Sequence, residues 1–171
     1  MESAGDALSA EQRPEQAAET VELSEVVFPT DTNQYGNLFG GHLVALMDKA
    51  AFFAAGRFSA CNTVTASMEG IDFHTPIREG DIVTLCARVV YTGTTSLIVR
   101  VEAFSQQHFA APRVHSTTGY LTMVAIDAEG RPTPVPRLRL AEDAGRAAWE
   151  RVEAIRLAAL DRRERERAAR R

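Results

Sequence analysis

The stretch PTDTNQYGNLFGGHLVALMDKAAFFAAG, residues 29–56, decides how this sequence folds. Its first half carries Pro29, Asn33, Gly36, Asn37, Gly40 and Gly41, which is loop chemistry. Its second half changes character. From Leu43 to Ala55 every residue is apolar except Asp48 and Lys49. Ala and Leu dominate, no Pro interrupts, and Gly56 can cap the end, so the pattern predicts a helix over 42–56. A helix apolar on nearly all sides is buried inside something.

The flanks say what surrounds it. VELSEVVF (21–28) reads as a first strand. After the helix come runs rich in β-branched residues: 61–75, then the turn PIREGD, then DIVTLCARVVYT (81–92) and TTSLIVRVEAFS (94–105) facing each other across Gly93. The last run, within 113–132, ends in the turn DAEG. Ile82, Leu85, Ala87 and Val89 alternate, as do Leu97, Val99, Val101 and Ala103, with slips that predict a bulge. Successive strands with short turns are antiparallel. One buried helix and one antiparallel sheet make an α+β domain with the sheet wrapped round the helix.

The whole chain has 171 residues, a one-domain length. With 45% hydrophobic and 25% charged residues it is neither collagen-like nor wholly disordered. Two cysteines cannot build a disulfide scaffold. The acidic start MESAGDALSAEQRPEQAAET lacks the apolar segment of a secretory signal, and no run of ~18 apolar residues would span a membrane, so a cytoplasmic protein is expected. The net charge of −4 gives no pull toward nucleic acid. Eleven Arg and seven Asp or Glu fall in 137–171, so a basic tail follows an acidic body. The expected organisation is a disordered tail over 1–20, a folded domain over 21–136, and an Arg-rich helical tail over 137–171, set off by Pro132, Pro134 and Pro136. Ala148, Val152, Ile155 and Ala159 recur at helical spacing with Trp149 and Leu160 beside them, which suits a docked helix; a partner-binding or phosphate-binding arm is the alternative.

Asp48 is the anomaly of the central helix. A buried carboxylate without partners costs several kcal/mol or takes up a proton, on the order of what any unpaired buried charge costs. Lys49 cannot rescue it, because neighbouring helix residues point about 100° apart. A partner, a subunit interface or a wet pocket must surround it; a structural aspartate at a helix edge is the plainer reading. Gly40-Gly41 before the helix would leave bare N–H groups where negative charge is favoured, as a thioester or ester carbonyl turning into an oxyanion requires. Asn33 adds a neutral donor and acceptor. Read plainly, the glycines are a tight turn and Asn33 an ordinary turn residue. His42, His74, His108, His115, Cys61 and Cys86 have no metal-ligand spacing, so no metal is expected, and Cys86 reads as sheet core rather than nucleophile.

Three segments, PTDTNQYGNLFGGHLVALMDKAAFFAA, VTASMEGIDFHTPIREGDIV and YTGTTSLIVRVEAFS, together resemble the hotdog-fold acyl-CoA thioesterases over about residues 21–135. The resemblance rests on N-x-x-G-x-x-F-G-G with M-D seven residues on, V-T-A, F-x-x-P-I-x-x-G-D and G-x-T-S. It implies a hotdog fold, metal-independent hydrolysis of acyl-CoA to a free acid and coenzyme A, and no cofactor beyond the CoA of the substrate. It implies a homodimer as the minimal active unit, paired edge to edge into one sheet, with further association into hexamers. Asn33 of one subunit would face Asp48 of the other. Asp48 would act as general base or nucleophile, Gly41 would supply the oxyanion N–H with Gly40 shaping the loop, and Thr65 would sit near the acyl end. Gly93, Thr94, Thr95 and Ser96 would lie against the CoA. Two residues depart from the pattern: His42, where an aromatic or small residue is more usual, and Thr94, where a basic residue is. Two other functions share the fold: a non-catalytic acyl-CoA or ligand-binding module, and a dehydratase or hydratase using His42.

Overall fold

A computed structural model of the chain describes residues 13–139, 150, 152–158, 161, 165, 168 and 169. The elements in chain order are β1 (Glu15–Gln16), β2 (Val21–Val26), a short 3-10 turn (Pro29–Asp31), the helix α1 (Gly40–Ser59), β3 (Asn62–Phe73), β4 (Ile82–Thr92), β5 (Ser96–Gln106), β6 (Val114–Ile126) and β7 (Arg137–Leu138). β2, β4, β5, β6 and β3 form one sheet in that order, every pair antiparallel. β4, β5 and β6 follow one another through tight connections and pair in sequence. β2 and β3 flank α1 in the chain, and the helix carries the backbone from one edge of the sheet to the other. This is the hotdog arrangement, a curled antiparallel sheet with a long helix on its inner face.

Period-2 burial explains why the central strands hold the helix. Val83, Leu85, Ala87 and Val89 of β4 and Leu97, Val99, Val101 and Ala103 of β5 are all buried, and Leu121, Met123 and Ala125 of β6 extend the layer. Leu43, Leu46, Met47, Ala50, Ala51, Ala54, Ala55 and Phe58 of α1 join the same core. Val83, not Ile82, holds the first inward position of β4, which keeps the alternation unbroken as far as Val89. The expected bulge is there: the β4–β5 register shifts between Val89 and Tyr91. Gly119 of β6 leaves room for the side chains over it, since a Cβ there would lie 2.8 Å from Met47 Cε and 3.0 Å from Ile71 Cγ1.

Several local expectations are corrected. α1 begins at Gly40, so both glycines lie in its first turn rather than in a loop before it. It runs past Gly56 to Ser59, and Ala60 caps it in the left-handed conformation, its N–H bonded to Gly56 O. The helix is not enclosed on all sides, for Phe52 and Phe53 are 43% and 46% exposed. The expected disordered tail does not extend to residue 20. From Arg13 on, the chain lies against the body: β1 pairs in parallel with β7, and Ala18 is buried.

Residues 152–158 are helical, and Val152 is buried against Tyr91 and Ile98 on the outer face of the sheet, with the Arg156 guanidinium 5.3 Å from the Tyr91 ring centre. That is the docked helix expected from Val152 and Ile155; Ala148, Trp149, Ala159 and Leu160 lie outside the described residues. Among the described residues no helix is long and apolar enough to cross a membrane.

Candidate active site

Asp48 sits halfway along α1 at the border between its buried and open faces, half-buried. Leu46 and Met47 before it and Ala50 and Ala51 after it point into the core, so packing on both sides holds its backbone. Its carboxylate has a specific partner, for the Thr65 hydroxyl donates to Asp48 Oδ1 at 2.5 Å. Thr65 is held in turn by β3, in register with Met123 of β6, whose sulfur lies 3.5 Å from the same hydroxyl. The β3–β6 register shifts just after Thr65, a bulge that re-aims side chains at this point. Asp48 and Thr65 thus meet across the seam between helix and edge strand.

They open onto a cleft of about 470 Å³ lined also by Lys49, Phe52, Phe53, Thr63 and Val64. Phe52 and Phe53 meet edge to face, ring centres 5.6 Å apart. A carboxylate and a hydroxyl therefore face an apolar wall, the setting in which a charged group acts on a bound carbonyl without full competition from water. Sequence reading did not single out these rings, although Phe52 follows Asp48 by one helical turn and must share its face.

The helix start offers a second kind of group. Leu43 N–H is bonded to Phe39 O at 3.0 Å, and no side chain caps the helix. The N–H groups of Gly40, Gly41 and His42 precede that bond and have no partner within the helix. Phe73 stacks over Gly40, where a Cβ would lie 3.5 Å from the ring, while Gly41 is exposed. Gly41 and Asp48 are seven residues apart on one helix, about 10 Å along its axis. One chain does not bring the Gly41 N–H and the Asp48 carboxylate together.

Asn33 stands in the loop before the helix. Its side-chain oxygen accepts the N–H of Tyr35 at 2.9 Å and of Asn37 at 3.3 Å, and its own N–H is bonded to Asn37 O. The plainer turn role is real, and it commits the acceptor oxygen. What the side chain can still present is its NH₂, a donor.

The Gly93–Ser96 turn joins β4 to β5. Thr65, Met123 and Leu97 share one row across the sheet, so this turn lies at the Thr65 end, two strands or roughly 10 Å away. Its carbonyls are occupied: Gly93 N–H bonds Ser96 O, Val135 N–H bonds Thr94 O and Ala125 N–H bonds Thr95 O. Thr94, Thr95 and Ser96 leave only neutral hydroxyls to offer.

The remaining candidates fall away from this site. His42 Nδ1 lies 3.7 Å from Asp31, not toward Asp48. Cys86 lies on the outer row of β4, 3.5 Å from Glu22, and burial pushes its thiol up, aided by the Glu22 charge, which is the reverse of an activated nucleophile. Among the described residues no three His, Cys, Asp or Glu side chains cluster as a metal site.

Comparisons with known proteins bear on the family of the chain. The profile of the Thioesterase superfamily matches residues 35–108. A Bacillus subtilis protein named as an uncharacterized acyl-CoA thioester hydrolase is 42% identical over 112 residues, 66% of this chain and 65% of that protein. An acyl-CoA hydrolase from Staphylococcus aureus, solved with butyryl coenzyme A, coenzyme A and coenzyme A disulfide, superposes with a TM-score of 0.82 at 30% identity, covering 92% of this chain and all of that one. Solved alanine variants of that enzyme replace an aspartate, an asparagine and a threonine. A hexameric hotdog-fold thioesterase of Campylobacter jejuni matches with a TM-score of 0.62 at 34% identity, over 66% of this chain and 87% of its own. The chain belongs to the thioesterase superfamily, among the hotdog-fold acyl-CoA thioester hydrolases.

Proposed function

We propose that the domain over 21–136 hydrolyses acyl-CoA to a free carboxylic acid and coenzyme A, with Asp48 as general base or nucleophile in a site completed by a second copy of the chain. The observation that carries this reading is Asp48 itself: a carboxylate bonded by Thr65 and facing an aromatic-walled cleft. In the Staphylococcus aureus enzyme the asparagine chosen for replacement precedes the aspartate by 15 residues and the threonine follows it by 17. Asn33, Asp48 and Thr65 have the same spacing here.

The chemistry follows from the groups. As general base, Asp48 takes a proton from water while the oxygen attacks the thioester carbonyl carbon. The carbonyl oxygen becomes an oxyanion and accepts the N–H of Gly41, where the positive end of the helix dipole favours it. Collapse breaks the C–S bond, the proton on Asp48 goes to the departing thiolate, and the acid is released. As nucleophile, Asp48 would form an anhydride that water then cleaves. Thr65 fixes the carboxylate, and the Asn33 NH₂ orients the water or the carbonyl. The Gly93–Ser96 hydroxyls face the CoA.

A second copy is needed because Gly41 and Asp48 are about 10 Å apart along one helix. A two-fold axis beside the β3 edge would bring Asn33 and Gly41 of one copy to Asp48 of the other. The place of β3 at the end of the strand order and the exposed Val64, Phe52 and Phe53 suit such a homodimer, and assembly of dimers into a hexamer follows the Campylobacter jejuni relative. No metal and no cofactor beyond CoA enters this scheme. The proposed compartment is the reducing cytoplasm, which suits the free thiols Cys61 and Cys86.

Asp48→Asn tests the reading. Thiol release from acyl-CoAs of two to sixteen carbons should fall by roughly 10²–10⁴, with circular dichroism and oligomer size unchanged. Near wild-type turnover would remove Asp48 from the chemistry. CoA binding without turnover by the wild type at any chain length would instead make the protein a binding module. Hydrolysis in H₂¹⁸O under single turnover separates base from nucleophile, since only the anhydride route leaves label in the enzyme.

A further inference from the structure

The Gly93–Ser96 turn is held from outside the matched region by a single side chain. Arg13 Nη1 reaches the carbonyl oxygens of Gly93, of Thr94 at 3.3 Å and of Val135 at 3.0 Å, segments 80 to 122 residues distant in sequence. Arg13 is half-buried, and its Nε is buried without a hydrogen-bond partner, so the three carbonyls are reached through Nη1. The arm that carries it is itself fastened, for β1 pairs with β7, Arg137 N–H bonds Pro14 O and Arg139 N–H bonds Gln16 O. From the other side Leu138 N–H bonds the Thr92 hydroxyl at 3.0 Å, and Val135 N–H bonds Thr94 O at 2.9 Å. The turn is thus clamped between an N-terminal arm and the segment after β6. Such a clamp has a physical purpose. Thr94 is exposed and Thr95 only half-buried, and Gly93 contributes no side chain. A charged donor shared among carbonyls replaces that missing packing with charge-assisted bonds.

We infer that Arg13 is a positioning residue for substrate binding: it fixes the backbone of the Gly93–Ser96 turn and so sets the affinity for the CoA portion of an acyl-CoA. The inference rests on the proposed acyl-CoA hydrolysis and on this turn lying against the CoA. Arg13 touches neither Asp48 nor the reacting carbonyl, so its loss acts on KM and spares kcat. All three contacts come from Nη1; Lys keeps the charge but ends in a shorter side chain with a differently placed donor, and it restores only part of the effect.

The test uses the full chain, with Arg13→Ala and Arg13→Lys assayed on an acyl-CoA and on the matching S-acyl-N-acetylcysteamine, which keeps the thioester and lacks nearly all of CoA. For Arg13→Ala, KM for the acyl-CoA rises roughly tenfold with kcat within about twofold, kcat/KM on the short thioester is unchanged, and Arg13→Lys falls between. An unchanged KM, or an equal loss on both thioesters, overturns the inference; the second pattern marks a merely structural residue. If Arg13→Ala does not fold, Arg13→Lys decides by the same split. Failure of the underlying reading looks different, since the wild type would then hydrolyse no acyl-CoA.

Discussion

Asp48 and Glu22 are both carboxylates of one domain, and their surroundings give them different work. Asp48 has one hydroxyl partner and an apolar cleft. Glu22, on the outer row of β2, bonds the Arg113 guanidinium at 2.9 Å, and that bond holds its carboxyl below the usual range. A depressed carboxyl contributes stability at pH values above its unfolded value near ~4.3 and loses that contribution as pH falls through the folded value. Arg113→Ala should therefore return the Glu22 titration, followed by ¹³C NMR, toward the ordinary range. The accompanying loss of stability at pH 7 is no more than about 1 kcal/mol, because both groups face solvent, and it should fade as pH falls through the folded Glu22 value. An unmoved Glu22 titration would rule out the pair. A neutral substitution at Asp48 acts on turnover instead.

At the scale of elements, the packing of Met47 against β6 helps to set where α1 holds Asp48. Gly119 leaves room for Met47, the residue before Asp48, and a Cβ there would lie 2.8 Å from Met47 Cε and 3.0 Å from Ile71 Cγ1. Met47 is fully buried and flexible enough to shift only by disturbing its neighbours. Gly119→Ala should cost about 1–3 kcal/mol in denaturant unfolding and lower thiol release by displacing the helix. Unchanged stability would mean that the core yields there more easily than its packing implies. These elements were largely legible in the sequence. The long apolar run announced α1, and alternation announced β4, β5 and β6, because both signals are local periodicities. The helix start was misjudged for a local reason too. Two glycines read as loop, yet the first helical turn lacks intrahelical N–H bonds, so glycine is tolerated there.

For the whole molecule, the open face is the question the single chain poses. Among the described strands β3 lies at the edge of the sheet beside β6, and near it are Val64, 47% exposed, with Phe52 and Phe53. Apolar residues exposed along an edge strand invite a further strand. Val64→Lys should shift the protein toward monomer in size-exclusion chromatography with light scattering, and turnover should fall with the oligomer, because Gly41 and Asp48 of one chain are too far apart to act together. A monomeric Val64→Lys variant with full activity would refute the shared site. Asn33 and Asp48 are legible in the sequence, but the aromatic wall beside Asp48 and the partners that use the Asn33 oxygen are not. Those depend on which strands lie beside which.

The residue pattern alone determined that a nearly all-apolar helix with one acid would be wrapped by an antiparallel sheet, since helical and strand periods are properties of neighbouring residues. Only the tertiary structure decided that Thr65 meets Asp48, that Phe52 and Phe53 wall the cleft, and that Arg13 reaches a turn 80 residues away. Each of those contacts joins segments that no local period relates, and each depends on register and chain crossing in three dimensions.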